Sequence, residues 1–217
     1  MKLAQLPVGM LATNCYLVAD DAGRCAVIDP GSHTEKILKK AEEEGFTIEA
    51  ILLTHGHFDH VMAAPGIQKA TGAKLYIHKN DEPDLAPEVA GHRGYLREPY
   101  VMPRVDGHLE EGGEVQVGDL TFRVLHTPGH TLGSCVLLCE DLMFSGDTLF
   151  VSSLPFVVNS LEYLNSVSSP YGSQNNTVVV IVIFSSNKFA LNLPLLDNVL
   201  PLLDSYSKNA VAPSSNS

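Results

Sequence analysis

Apolar and polar positions alternate in short blocks along the first two-thirds of the chain, and the spacing within each block predicts its element. Asn14 to Ala19 and Arg24 to Asp29 are apolar runs joined by Asp20-Asp21-Ala22-Gly23, the pattern of a β-hairpin with Gly at the turn. Asp29-Pro30-Gly31-Ser32 then turns the chain. In Thr34 to Glu44, Ile37, Leu38 and Ala41 recur at helical spacing, and Gly45 supplies a stop. Ile48 to Leu53 is short, mostly apolar and β-branched, as expected of a buried strand.

Beyond that strand, Val61 to Thr71 reads as a helix disturbed at Pro65-Gly66 and ended by Gly72, and Ala73 to Ile77 as the next strand. This alternation of helix and strand predicts an α/β layer. Asn80 to Arg104 carries Pro83, Pro87, Pro99 and Pro103 with little periodicity, so it reads as a surface excursion of the kind that often rims active sites. From Gly107 the pattern is β-rich: strands at 114–117 and 120–125 flank Gly118-Asp119, and strands at 135–139 and 142–144 flank Glu140-Asp141.

The candidate chemistry sits in the loops after these strands. Thr54-His55-Gly56-His57-Phe58-Asp59-His60 packs three imidazoles and a carboxylate into seven residues, the donor types that hold a borderline-soft divalent cation such as zinc. Gly56 leaves room for His55 and His57 to converge on one ion. A second loop, His126 to Ser134, offers His130 behind the turn Pro128-Gly129, and a third, Ser145 to Thr148, offers Asp147 behind Gly146. Strand ends gathered at one rim of a sheet would aim His55, His57, Asp59, His60, His130 and Asp147 into a common space. His33, His78, His92 and His108 lack such company and are read as structural or solvated; His126 is read the same way, with a supporting place beside the His130 loop left open.

Composition narrows the classes. At 217 residues the chain is expected to form one domain, burying roughly 70 % of its unfolded surface without disulfides or structural metals. A net charge of −11 and a pI near 5.1 argue against nucleic-acid or anionic-membrane partners, which need clustered Lys and Arg. The opening residues carry no signal-peptide pattern, and the longest apolar run, Val178 to Phe184, is too short to span a bilayer, so a soluble, cytoplasmic protein is expected. Cys15, Cys25, Cys135 and Cys139 show no Cys-x-x-Cys spacing and read as buried thiols of a reducing compartment.

The ordered set Thr-His-Gly-His-Phe-Asp-His at 54–60, Thr-Pro-Gly-His-Thr at 127–131 and Ser-Gly-Asp-Thr-Leu at 145–149, preceded by Asp29-Pro30-Gly31, resembles the metallo-β-lactamase superfamily. Within it the chain looks like the short, single-domain hydrolases similar to glyoxalase II (hydroxyacylglutathione hydrolase), over residues 1 to about 150. The resemblance implies an αββα sandwich with a two-metal site at one edge of the sheets. By motif position His55, His57 and His130 would hold a first Zn2+, Asp59 and His60 a second, and Asp147 would bridge them. The implied reaction is attack of a zinc-bound hydroxide on a small-molecule thioester such as S-lactoylglutathione, with Asp59 also orienting the nucleophile.

The family adds a late histidine to the second ion, but no histidine follows His130 here. The break coincides with a shift in composition: residues 1–150 hold 12 of the 14 Lys and Arg and 22 of the 25 Asp and Glu. The remainder is rich in Ser, Asn, Val and Leu, and its last residues read as disordered. A catalytic domain at 1–150 followed by an atypical segment at 151–217 is therefore expected. That segment is either a replacement, by frameshift or altered splicing, or a divergent way of closing the sandwich; the scarcity of surface charge favours replacement.

The missing ligand predicts a normal first zinc and a weak second one, with activity reduced. Two other readings stand beside this one. A mononuclear Fe2+ site of His55, His130 and Asp147 would suit the persulfide dioxygenases of the same superfamily, and a degenerate or truncated product would fold poorly or bind metal without turnover.

Overall fold

The computed structural model describes residues 1–90 and 100–148. Two sheets face one another. The larger has six strands in the order β1 (Lys2–Val8), β2 (Thr13–Ala19), β3 (Arg24–Ile28), β4 (Thr47–Leu52), β5 (Lys74–Ile77) and β6 (Gly107–His108). The smaller runs β10 (Leu142–Phe144), β9 (Cys135–Cys139), β8 (Leu120–His126) and β7 (Glu114–Val117), antiparallel throughout.

In the larger sheet β1, β2 and β3 pair antiparallel, whereas β3, β4, β5 and β6 pair parallel. Parallel neighbours require crossovers. These are helix α1 (Thr34–Glu44) between β3 and β4, and helices α2 (Phe58–Val61) and α3 (Ala64–Thr71) between β4 and β5. A short helical turn at Glu82–Leu85 and helix α4 (Pro87–Ala90) follow β5.

The period-2 alternation of strand side chains splits the interior into two layers. Cys15, Leu17, Cys25, Val27, Ile51 and Leu75 face the helices, where they meet Ile37 and Ala41 of α1 and Ala64 and Ile67 of α3. Tyr16, Val18, Ala26, Ile28, Ala50 and Leu52 face the second sheet and pack with Phe122, Val124, Leu137 and Phe144. Tyr16 meets Phe144 edge to face, ring centroids 5.2 Å apart. The mixed α/β architecture follows the sequence reading, with helix, sheet and second sheet as successive layers. The composition break expected after residue 150 falls outside the described residues.

The local expectations hold with three corrections. β1 was not foreseen, although Ala4, Leu6 and Val8 alternate inward; Pro7 is tolerated there because β1 is an edge strand. The helix expected over 61–71 breaks at Met62–Ala63, ahead of Pro65, which instead sits in the first turn of α3 where no amide donor is needed. The stretch from Asn80 is not purely a surface excursion, since Asp81 and Leu85 are buried. All four cysteines are buried and free, and burial raises each thiol, Cys25, Cys135 and Cys139 to about 12.

Candidate metal centre

Three loops leave the sheets on the same rim. The first follows β4 and carries His55 and His57, with Asp59 and His60 on α2; the second joins β8 to β9 and carries His130; the third follows β10 and carries Asp147. Two groups of donor atoms result, each with all atoms within 4.8 Å of one another: His55, His57 and His130, and His55, His60 and Asp147. The His57 and His130 rings lie 4.6 Å apart, with Nδ1 of one 2.8 Å from Nε2 of the other. Asp147 reaches toward both groups, Oδ2 lying 3.3 Å from His130 Nε2 and Oδ1 3.3 Å from His60 Nε2.

Asp29 determines which ring nitrogens face this space. Its carboxylate is buried at the end of β3, where it accepts the Thr54 amide (2.8 Å) and hydroxyl (2.7 Å) and pairs with His60 Nδ1 (3.0 Å). Because the Thr54 hydroxyl gives its proton to Asp29, its oxygen accepts from His55 Nδ1, 3.2 Å away. Both histidines are thereby protonated on Nδ1, and both present Nε2 to the site. His55 Nε2, His60 Nε2 and Asp147 Oδ1 are buried without a hydrogen-bond partner. Polar atoms buried without a hydrogen-bond partner and gathered in one place are a costly arrangement in a closed protein and a suitable one for a cation.

The electrostatics agree. Burial, then the neighbouring imidazoles of His60, His57 and His130, push His55 well below the ordinary histidine range, so it is neutral and ready to ligate. Burial also lowers His130, against the pull of Asp147. His60 differs: burial resists its charge, but Asp29, Asp147 and Asp59 outweigh that and raise it to about 10. The carboxylates that hold a proton there would equally favour a metal cation in its place. Burial opposes the charge on Asp147, yet His60 and the other histidines hold it below the usual carboxylate range.

Close approach explains two glycines. A Cβ on Gly31 would lie 1.6 Å from the Asp59 carbonyl oxygen, so the Asp-Pro-Gly turn packs against α2 only without a side chain. Gly146 has φ +48°, and a Cβ there would come 2.2 Å from the Thr54 hydroxyl.

Asp59 stands slightly apart. Its Oδ2 accepts the Thr13 hydroxyl at 2.9 Å and lies 3.5 Å from His60 Nε2, and it belongs to neither tight group of donors. His126 has its Nε2 3.0 Å from the Leu132 carbonyl in the His130 loop and stacks on buried His78, centroids 4.1 Å apart. His33 accepts the Gly9 amide, His108 pairs with Glu82, and His92 lies outside the described residues. The sequence places Asp29 in a turn and in the Asp-Pro-Gly motif of the resemblance, without a role at the site, and does not single out Thr13. A signal for Asp29 exists, since its strand was legible and precedes the loop it supports. For Thr13 there is none.

A layered α/β body with histidine- and aspartate-bearing loops on one rim is the architecture of a metal-dependent hydrolase. The metallo-beta-lactamase superfamily model matches residues 8–183, and the chain belongs to that superfamily. It is 39 % identical over 154 residues to a probable metallo-hydrolase, YqgX, of Bacillus subtilis, covering 69 % of this chain and 72 % of the relative. It is 32 % identical over 161 residues to the hydroxyacylglutathione hydrolase GloC of Haemophilus influenzae, covering 69 % and 73 %.

Among solved structures it is similar to the BLEG-1 B3 metallo-beta-lactamase, with TM-score 0.63, 32 % identity and coverage of 69 % of this chain and 74 % of that one. It is also similar to TTHA1623 in a di-iron-bound form, with TM-score 0.59, 34 % identity and coverage of 70 % and 75 %. ETHE1 from Myxococcus xanthus follows at TM-score 0.56 and 31 % identity, covering 70 % and 59 %. No helix among the described residues is long and apolar enough to cross a membrane.

Proposed function

We propose that this chain is a zinc-dependent hydrolase of small-molecule thioesters of the hydroxyacylglutathione type. The observation that carries the reading is the convergence of His55, His57 and His130 with His60 and Asp147, including the buried His55 Nε2, which has no hydrogen-bond partner among the described residues. In this reading His55, His57 and His130 would hold a first zinc, Asp59 and His60 a second, and Asp147 would be a donor shared by both. The likeness to GloC supports the substrate class.

When bound, zinc supplies Lewis-acid polarisation of a carbonyl and a water made acidic enough to ionise near neutral pH. The protein's part is to hold His55 neutral and Nδ1-protonated through Thr54, and to aim His60 Nε2 through Asp29. Asp59 is the candidate catalytic residue: the Thr13 hydroxyl holds its Oδ2, which fixes the carboxylate that orients the attacking water. A thiolate leaving group departs without a strong general acid, so no further titrating residue is required.

The described residues offer a second zinc Asp59, His60 and the shared Asp147, and this ion is held less tightly than the first. Purified protein assayed on S-lactoylglutathione, other acyl thioesters and lactones, with metal counted in parallel, tests the proposal. Turnover of thioesters with one tightly held zinc supports it. Two tightly held zincs would contradict the weak second site, and fully loaded protein inert toward every substrate would leave a non-catalytic metal-binding protein.

The similarity to the di-iron form of TTHA1623 and to ETHE1 favours a second reading, an iron enzyme using His55, His130 and Asp147. Iron in the purified protein together with oxygen uptake on glutathione persulfide would select it over the zinc hydrolase.

A further inference from the structure

The structure also contains a buried carboxylate that touches both histidine-bearing loops and none of their histidines. Asp81 lies just past β5, and its side chain is almost wholly enclosed, at 1 % exposure. Oδ1 accepts the Gly133 amide at 2.7 Å; Oδ2 accepts the Gly56 amide at 3.0 Å and the Thr131 hydroxyl at 2.6 Å. Gly56 is the residue between His55 and His57, whereas Thr131 and Gly133 follow His130. One carboxylate thus joins two loops that are otherwise far apart in sequence.

The fit around it is close. A Cβ on Gly133 would lie 2.5 Å from Asp81 Cγ, and one on Gly56 would lie 2.8 Å from the Asp81 carbonyl oxygen. Both loops therefore approach the Asp81 residue more closely than any side chain permits. Asp81 is itself anchored, its amide bonding to the His78 carbonyl and its carbonyl accepting the Asp84 amide. A carboxylate suits the position because it accepts from several donors and offers no proton in return.

We propose that Asp81 is a positioning residue that sets the separation of His57 and His130, and so determines how tightly the first metal ion is held. The proposal rests on the metal reading above. It goes further by assigning the distance between the two loops to a residue that is not itself a ligand. The geometry explains the need for it: His55 and His57 ride on the chain after β4 and His130 on the chain between β8 and β9, so the two loops belong to different sheets. The Cys135 amide ties the start of β9 to the Thr54 carbonyl at 2.8 Å, and Asp81 adds a second tie farther along both loops, at the residues next to His57 and His130.

Asp81→Asn keeps the shape but places an amide donor against either the Gly133 amide or the Gly56 amide, so one backbone bond is lost whichever way it turns. Asp81→Ala removes all three bonds, and Thr131→Val removes one. Zinc affinity of each full-length protein is measured by competition with a chromophoric chelator, alongside the visible spectrum of the Co2+-substituted form and the urea midpoint of the metal-free form.

The expected result is a loss of zinc affinity of about 10- to 100-fold for Asp81→Asn, the range seen when outer partners of metal ligands are removed. A larger loss is expected for Asp81→Ala, a smaller one for Thr131→Val, and the Co2+ spectrum should change in each. If Asp81→Ala does not fold, Asp81→Asn and Thr131→Val carry the comparison. Lower urea midpoints with unchanged zinc affinity and Co2+ spectrum would make Asp81 a purely structural residue and overturn the inference. Wild-type protein that binds neither ion would instead overturn the metal reading, and this inference with it.

Discussion

Replacing Asp29 with asparagine should damage folding stability and metal affinity together, for one reason. Asp29 receives the Thr54 amide on Oδ1 and both the Thr54 hydroxyl and His60 Nδ1 on Oδ2, all in a buried position. If the new amide group occupies the Oδ1 position, two N–H donors face each other across the 2.8 Å now spanned by the Thr54 hydrogen bond. If it occupies the Oδ2 position, it donates to His60 Nδ1, which moves the histidine proton to Nε2 and blocks the lone pair aimed at the site. Either orientation leaves one buried donor unsatisfied, a cost of about 1–3 kcal/mol. The second orientation also abolishes His60 as a ligand.

Urea denaturation of the metal-free protein measures the first effect and chelator competition the second, with a drop of about 10- to 100-fold in metal affinity expected. The same variant changes the pH profile. In the metal-free wild type His60 is raised to about 10 from an unfolded value near 6.5. Its contribution to stability is therefore complete below about pH 6.5 and is lost as pH rises through about 10. Removing the Asp29 charge lowers the folded value, so the decline over that window should flatten. Asp29→Asn protein with wild-type urea midpoint, metal affinity and pH profile would refute the tautomer argument.

Three further outcomes follow from the rest of the structure. Asp20, buried beside Arg24, accepts the Arg24 and Asp119 amides, which with the guanidinium outweigh the penalty of burial and hold it down to about 2. Its stabilising share is present above about pH 4 and is lost as pH falls through about 2, so Asp20→Asn should lessen acid destabilisation between those limits in a pH-dependent melting series. Phe122, fully enclosed between the two sheets, should cost about 3–5 kcal/mol on truncation to alanine by urea titration. The four buried thiols should react with a thiol reagent only as fast as the protein opens, and fast labelling of the native state would contradict their burial.

Strand and helix positions were legible because each is encoded by a local period. Ile37, Leu38 and Ala41 announced α1, and Gly45 its end in the left-handed conformation, φ +70°. β1 is hard to read because Pro7 and Gly9 interrupt a run in which only alternate residues, Ala4, Leu6 and Val8, are buried. The 80–104 stretch misled for a related reason: its prolines describe turns, and turns near a sheet edge can still bury an aspartate and a leucine when other loops close over them.

Sequence alone determined the donor inventory, its division among three loops, and the strands from which those loops spring, because residue type and short-range spacing carry that information. Tertiary structure decided the rest. The assignment of protons on His55 and His60, and the tie that Asp81 makes between loops, depend on hydrogen bonds joining residues 25 to 52 positions apart. Such contacts follow from how β3, β4 and β9 are brought together in two sheets, a long-range arrangement that no local period of the chain expresses.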